Sequence, residues 1–217
     1  MATLLQNFET FDLWKIEQHD LADYTKFVLR IYYEHHLHVP APIEEVEACI
    51  KEDEERYSLT HFYALKTKNG QTFGTINVSK WNGKDEFAID KEYGLNAKEL
   101  IKTRGLTPPE IWHIGRFATD RQIINSNREL RLLQVLYFKL LLTCVFHHIC
   151  AYPDNVMFAE CDIKLQKTLN TLGIFSEELA EPQMILGSET VPIFNNGAGL
   201  QQFYDNHKYL IPNVLSQ

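Results

Sequence analysis

The chain has 217 residues, of which 45% are hydrophobic and 23% charged, and it carries a formal net charge of -8. This indicates one globular domain over residues 1–217 with a sizeable core, and it excludes a general nucleic-acid binder. Cys49, Cys144, Cys150 and Cys161 show no Cys-x-x-Cys pairing and read as reduced core cysteines. The N-terminus lacks a charged segment followed by a long apolar one, so a signal peptide is not expected. The most apolar stretch, Leu130 to Cys150, is interrupted by Arg131, Gln134, Lys139, His147 and His148. It suits a core helix better than a membrane span, and the cytoplasm is the expected compartment.

Taken in order, the chain predicts a first strand over about Phe11 to Gln18. Asp20 is placed to cap a helix running to about His36, with Leu21, Tyr24, Phe27, Val28 and Ile31 on one face. His35, His36 and His38 follow at a helix end, where the dipole favours solvated histidines, and no metal site is assigned. After Pro40 and Pro42 a second helix is expected to about Arg56, its acidic run Glu52 to Glu55 reading as a solvated face. Leu59–Lys66 and Thr72–Trp81 flank Asn69-Gly70, a strong hairpin signal. A short helix over Ala97 to Thr103 leads to Pro108-Pro109.

The run Pro109 to Asp120 reads as a central buried strand, with Gly115 marking a bulge or a close approach. Asn125, Ser126 and Asn127 form a polar turn, and Ser126 and Glu129 have capping-box spacing. They open a helix from about Asn127 to His147, buried over most of its circumference. A strand feeding a helix N-terminus offers free backbone N–H groups and a positive dipole end, suited to carbonyls and phosphate. Val156 to Cys161 reads as a further buried strand, and Lys164 to Leu172 as a helix stopped by Gly173. Met184–Leu186 and Thr190–Phe194 read as short strands before a last helix after Gly199. The order predicts an α/β fold, a mixed sheet with helices on both faces and the Pro109 and Val156 strands as parallel neighbours. A ligand is expected at the carboxyl ends of those strands.

Two residues of the central strand invite chemistry. Arg116 in a buried strand needs an anion, either an acceptor carboxylate or an internal acid such as Asp90 or Asp120. His113 is either a base working near neutrality or a hydrogen-bonded strand histidine. Ser58 and His61 would point to opposite faces of one strand, so a Ser-His nucleophile is not expected.

Ser58-Leu-Thr-His-Phe-Tyr-Ala64, Phe73-Gly-Thr-Ile-Asn77, Phe87-Ala-Ile-Asp-Lys-Glu-Tyr-Gly-Leu95 and Trp112-His-Ile-Gly-Arg-Phe-Ala-Thr-Asp120 resemble, in that order, segments of the GNAT acyltransferases. The chain resembles the branch of N-acyl amino acid synthases and N-acyl-homoserine-lactone (autoinducer) synthases. The resemblance covers about Ser58 to Glu129. It departs in three places. His113 replaces the family's Glu, Asn77 replaces its Arg, and Arg121 to Arg128 lacks the glycines of a pyrophosphate loop.

The resemblance implies a mostly antiparallel sheet whose parallel central pair is splayed apart. It implies an N-acyltransferase moving a fatty acyl group to the amine of an amino acid or similar small molecule. The co-substrate is acyl-phosphopantetheine on acyl carrier protein, or acyl-CoA, with no tightly bound cofactor. His113 and Arg116 are the expected catalytic pair. Gly115, Phe117, Ala118, Thr119, Arg121, Asn127, Arg128 and Arg131 are expected on the donor side. Asn77, Asp90 and Trp112 are expected on the acceptor side. Acetyl-CoA-dependent acetylation and non-catalytic acyl or carrier-protein binding remain alternatives.

Overall fold

The computed structural model describes residues 2–212. The chain begins with β1 (Thr3–Asn7), β2 (Phe11–Lys15), α1 (Leu21–His36) and α2 (Ile43–Glu55). β3 (Thr60–Thr67) turns into β4 (Thr72–Lys80), and α3 (Ala88–Tyr93) and α4 (Ala97–Thr103) precede β5 (Ile111–Thr119). The crossover consists of α5 (Arg121–Ser126), α6 (Arg128–Leu132) and α7 (Gln134–Ile149). β6 (Val156–Asp162), α8 (Ile163–Thr171), β7 (Glu177–Glu178), β8 (Gln183–Ile185), β9 (Ser188–Asn196) and α9 (Gly197–His207) complete it.

The strands form one sheet in the order β1-β2-β3-β4-β5-β6-β9-β7, with β8 on β9. Every pairing is antiparallel except β5 with β6. α7 packs on β3 and β4 over one face, where Tyr63, Ile76, Val78, Leu140, Leu141 and Cys144 are buried in one core. α1 packs on β4 and β5 over the other, burying Tyr24, Val28 and Ile31 against Phe62 and Ala64. α3 lies on β6 and closes a third apolar cluster around Phe87 and Phe158. The expected mixed sheet with helices on both faces is therefore present. No helix among the described residues is long and apolar enough to cross a membrane.

Some boundaries differ from those expected. β1 precedes the first expected strand: Thr3–Asn7 is a largely exposed edge strand without apolar alternation. The first expected strand ends at Lys15, and the exposed β7 gave no apolar signal. The long helix is two helices, because Leu133 N–H bonds to Glu129 O and Leu130 O in a tight turn that ends α6. Ser126 forms no capping box. Its hydroxyl donates to Ile123 O, while the Asn127 side chain accepts from the N–H groups of Glu129 and Leu130. The polar turn is itself largely α5, capped by Asp120.

Candidate active site

The site lies where the parallel pair separates. β5 and β6 are paired from Ile111–Ile114 to Val156–Ala159, after which Glu160 to Asp162 pair with β9 only. On its other side β5 bulges against β4. Asn77 faces Gly115 and Thr75 faces Ala118, so Arg116 and Phe117 together oppose Ile76. Arg116 absorbs the extra residue with φ 54, a left-handed conformation that a non-glycine residue rarely adopts. The carbonyls exposed by the bulge are satisfied by side chains. Thr75 Oγ1 donates to Arg116 O at 2.9 Å, and Tyr32 Oη donates to Phe117 O at 3.2 Å. Burial pushes the Tyr32 phenol up to about 12, so it stays a neutral donor.

Alternation puts His113, Gly115, Asn77 and Ser79 on one face of the sheet, the face under α1 and α3. Glu160 stands two residues beyond Phe158, which pairs with His113, and so reaches the same face. Its Oε2 lies 2.7 Å from His113 Nε2, with both side chains largely shielded. Because a carboxylate accepts, the ring donates through Nε2, and in a neutral ring that leaves the lone pair on Nδ1. The imidazole is wedged edge-to-face against Phe87, with centroids 5.7 Å apart. Two oxygens here are buried without a partner, Glu160 Oε1 and Asn77 Oδ1. Gly115 lets β5 approach the Asn77 and His113 side chains closely. A methyl group on it would lie 3.2 Å from Asn77 Oδ1, 3.2 Å from His113 Cε1 and 3.6 Å from His113 Nδ1.

Arg116 finds an internal partner, but neither Asp90 nor Asp120. Its Nη2 and Nε lie 3.1 and 3.3 Å from Asp53 Oδ1, and Glu52 is 3.6 Å away. Burial is the largest influence and works against this charge; the field and hydrogen bond of Asp53, together with Cys49 and Tyr32, outweigh it and leave the guanidinium above its ordinary pKa. Asp53, 5% exposed, also accepts from Thr25 at 2.7 Å. The acidic run is therefore not all solvated face: one of its members is the buried counterion of the bulge.

Several expected site residues are placed elsewhere. The Asp90 carboxylate accepts from the N–H groups of Phe87 and Ala97 and ties α3 to α4. Trp112 alternates to the far face, beside His61 and His148 under α7. Phe117 also faces that side, edge-on to Phe138, while Ala118 packs with Tyr24 and Phe62. Thr119 ends β5 opposite Gly74. The helix start after β5 is not an open anion site. Asp120 Oδ1 accepts from Gln122 and Ile123 N–H, and its Oδ2 accepts from Arg30 at 2.7 Å. Ser58 lies in the turn Tyr57–Leu59 before β3, and His61 stacks on His148 at 3.9 Å. Arg121, Arg128 and Arg131 are exposed and join no ion pair among the described residues, with Leu132 and Val135 exposed beside them. Glu160 is a further site residue, and its signal in the sequence is an acid inside the apolar run Val156-Met-Phe-Ala-Glu-Cys161.

No protein-family profile matches the chain, and no curated protein matches it. Solved structures do. FeeM, an N-acyl amino acid synthase from uncultured soil microbes, superposes with a TM-score of 0.61 at 15% identity, covering 92% of this chain and 97% of that one. BjaI, a CoA-dependent acyl-homoserine lactone synthase solved with SAM and isopentyl-CoA, gives 0.59 at 14%, covering 97% and 90%. A GNAT-family acetyltransferase from Staphylococcus aureus Mu50 gives 0.52 at 10%, covering 86% and 99%. The chain thus has the GNAT acyltransferase fold, with the bulged and splayed β5 at its centre.

Proposed function

We propose that this chain is an N-acyltransferase that moves a fatty acyl group from a thioester to the amine of a small molecule. An amino acid or a similar amine is the acceptor, and acyl carrier protein presents the donor. The observation that carries this reading is the meeting of His113 Nδ1 and the Asn77 amide beside Gly115, where β5 and β6 part. FeeM, named an N-acyl amino acid synthase, and BjaI, named a CoA-dependent acyl-homoserine lactone synthase, share the fold.

The chemistry follows from the atoms present. The acceptor nitrogen enters beside Gly115 and hydrogen-bonds the Asn77 amide. It attacks the thioester carbonyl, and main-chain N–H groups of the bulge stabilise the developing oxyanion. His113 Nδ1 takes the proton that the nitrogen sheds, while Glu160 fixes the ring through Nε2 and stabilises the imidazolium. The C–S bond breaks and the proton passes to the leaving thiolate, giving an amide and a free thiol. The carrier-protein reading rests on two observations. Asp120 occupies the N–H groups that a CoA pyrophosphate would use, and the crossover exposes three arginines that join no ion pair among the described residues.

The test is transfer from decanoyl-carrier protein to a panel of amines, followed by thiol release and by mass spectrometry of the product. His113→Ala should lower turnover by about 10² to 10⁴ with little change in donor affinity. His113→Glu should recover part of it. A His113→Ala enzyme that is less stable yet fully active per folded molecule would end the catalytic assignment.

A further inference from the structure

The bulge of β5 is held by two side chains to which the reaction above gives no part. Thr75, on β4, is fully buried, and its Oγ1 donates to Arg116 O at 2.9 Å. Tyr32, near the end of α1, donates from Oη to Phe117 O at 3.2 Å. The ladder between β5 and β6 stops at Ile114 and Ala159, so this part of β5 has no β6 partner. We infer that Thr75 and Tyr32 are positioning residues, which act through the bulge and fix the direction of the main-chain N–H that meets the thioester oxygen. This rests on the acyl-transfer reading above.

A trans peptide is planar, and its N–H points opposite to its carbonyl. Arg116 O and Phe117 N–H share one such plane. Thr75 draws the oxygen toward β4, so the hydrogen is directed to the other side of β5, where β6 has parted. Asp53 holds the side chain of Arg116 but not its carbonyl. Arg116 sits at φ 54, which strains a residue other than glycine, and a plane freed from Thr75 can turn over to relieve it. The turned plane would present Arg116 O instead of Phe117 N–H to the developing oxyanion, and repulsion would replace stabilisation. Tyr32 acts on the next plane. Its donation offsets the negative dipole end of Phe117 O beside the same opening. Burial keeps the phenol protonated, so it stays a donor at neutral pH. Both hydroxyls therefore act on the electrostatics of the oxyanion site without touching the reacting atoms.

The experiment uses the whole chain, decanoyl-carrier protein and an amine that the parent acylates. Thr75→Val replaces the hydroxyl with a methyl, and Thr75→Ser keeps the hydroxyl. Thr75→Val should lower kcat per folded molecule by about tenfold or more, with both KM values within about twofold, and Thr75→Ser should restore most of the loss. Tyr32→Phe should lower kcat severalfold in the same manner. The second reading is the carbonyl itself. In the parent, decanoyl-pantetheine isotope-labelled at the thioester carbonyl should show its infrared band moved to lower frequency on binding, and Thr75→Val and Tyr32→Phe should each lose part of that shift. A purely structural role would lower the melting temperature and leave the band where it is. Unchanged kcat, a loss carried by KM alone, or a band that keeps its full shift in both variants overturns the inference while leaving acyl transfer intact. If Thr75→Val does not fold, Tyr32→Phe decides by the same two readings. A parent chain that acylates no amine overturns the acyl-transfer reading, and this inference with it.

Discussion

Arg116 combines three burdens in one residue: a left-handed φ, a mostly buried charge and a place in the bulge. Asp53 makes that tolerable, with Thr25 completing its hydrogen bonding. Asp53→Ala leaves a buried cation without its counterion and should cost about 3–5 kcal/mol, read as a lower urea midpoint. Adding Arg116→Met should recover a good part of that stability, because the orphaned charge is then gone. A single variant as stable as the parent would show that the pair holds nothing. Glu160 acts through His113, so Glu160→Gln should slow turnover by at least about tenfold and leave melting nearly unchanged, while acceptor KM moves little. A loss confined to stability would make Glu160 structural only.

At the scale of elements, the bulge of β5 and the early end of its pairing with β6 are one device. The extra residue turns the strand away from its ladder, and the parallel pair parts beyond Ile114 and Ala159. Gly115 is where the strand, Asn77 and His113 come closest. Gly115→Ala should cost only what the Asn77 and His113 side chains need to give by a few tenths of an ångström, since a methyl would lie 3.2 Å from each. It should still cut turnover by at least about tenfold, because the methyl occupies the acceptor's lane. Unchanged turnover would remove this lane from the mechanism. The turn at Leu133 matters in the same way. It separates a mostly exposed α6, carrying Arg128 and Arg131, from an α7 buried under the sheet, so one crossover both fills the core and presents a charged surface.

At the scale of the whole molecule, the far face of the sheet holds histidines in neutral form. Burial pushes His148 down to about 2 and His61 down to about 4, the second helped by Lys15. His148 Nε2 meets Tyr63 Oη at 2.7 Å. Between those values and the unfolded value of about 6.5, the unfolded chain binds more protons than the folded one. Stability therefore falls as pH drops from about 6.5 toward 4, and His148→Gln should flatten that decline in urea titrations. Equal slopes in parent and variant would contradict it. The whole chain is acidic, yet between Arg116 and Lys139 five basic residues stand against two acidic ones. Reversing Arg128 and Arg131 to Glu should slow transfer from an acyl carrier protein far more than from an acyl-pantetheine, chiefly at low salt. Equal losses with both donors would count against carrier docking.

What the sequence determined by itself was local in origin. Apolar runs mark β3 to β5, Asn69-Gly70 sets the hairpin with Gly70 at φ 82, and helical periodicity marks α1. Gly115 announced the bulge, and a crossover helix between two apolar strands announced their parallel pairing, because these signals depend on near neighbours in the chain. The partners of charged residues were decided only in three dimensions. Asp53 lies 63 residues from Arg116 and Glu160 lies 47 from His113. Within the acidic run, only the packing of α2 distinguishes Asp53 from its solvated neighbours. Strand parity placed Trp112 away from His113, but whether Asp90 would meet a ligand or cap two helix starts depended on how α3 folds back toward α4. Which side chains share a site is settled by contacts of long sequence separation, and no local pattern encodes them.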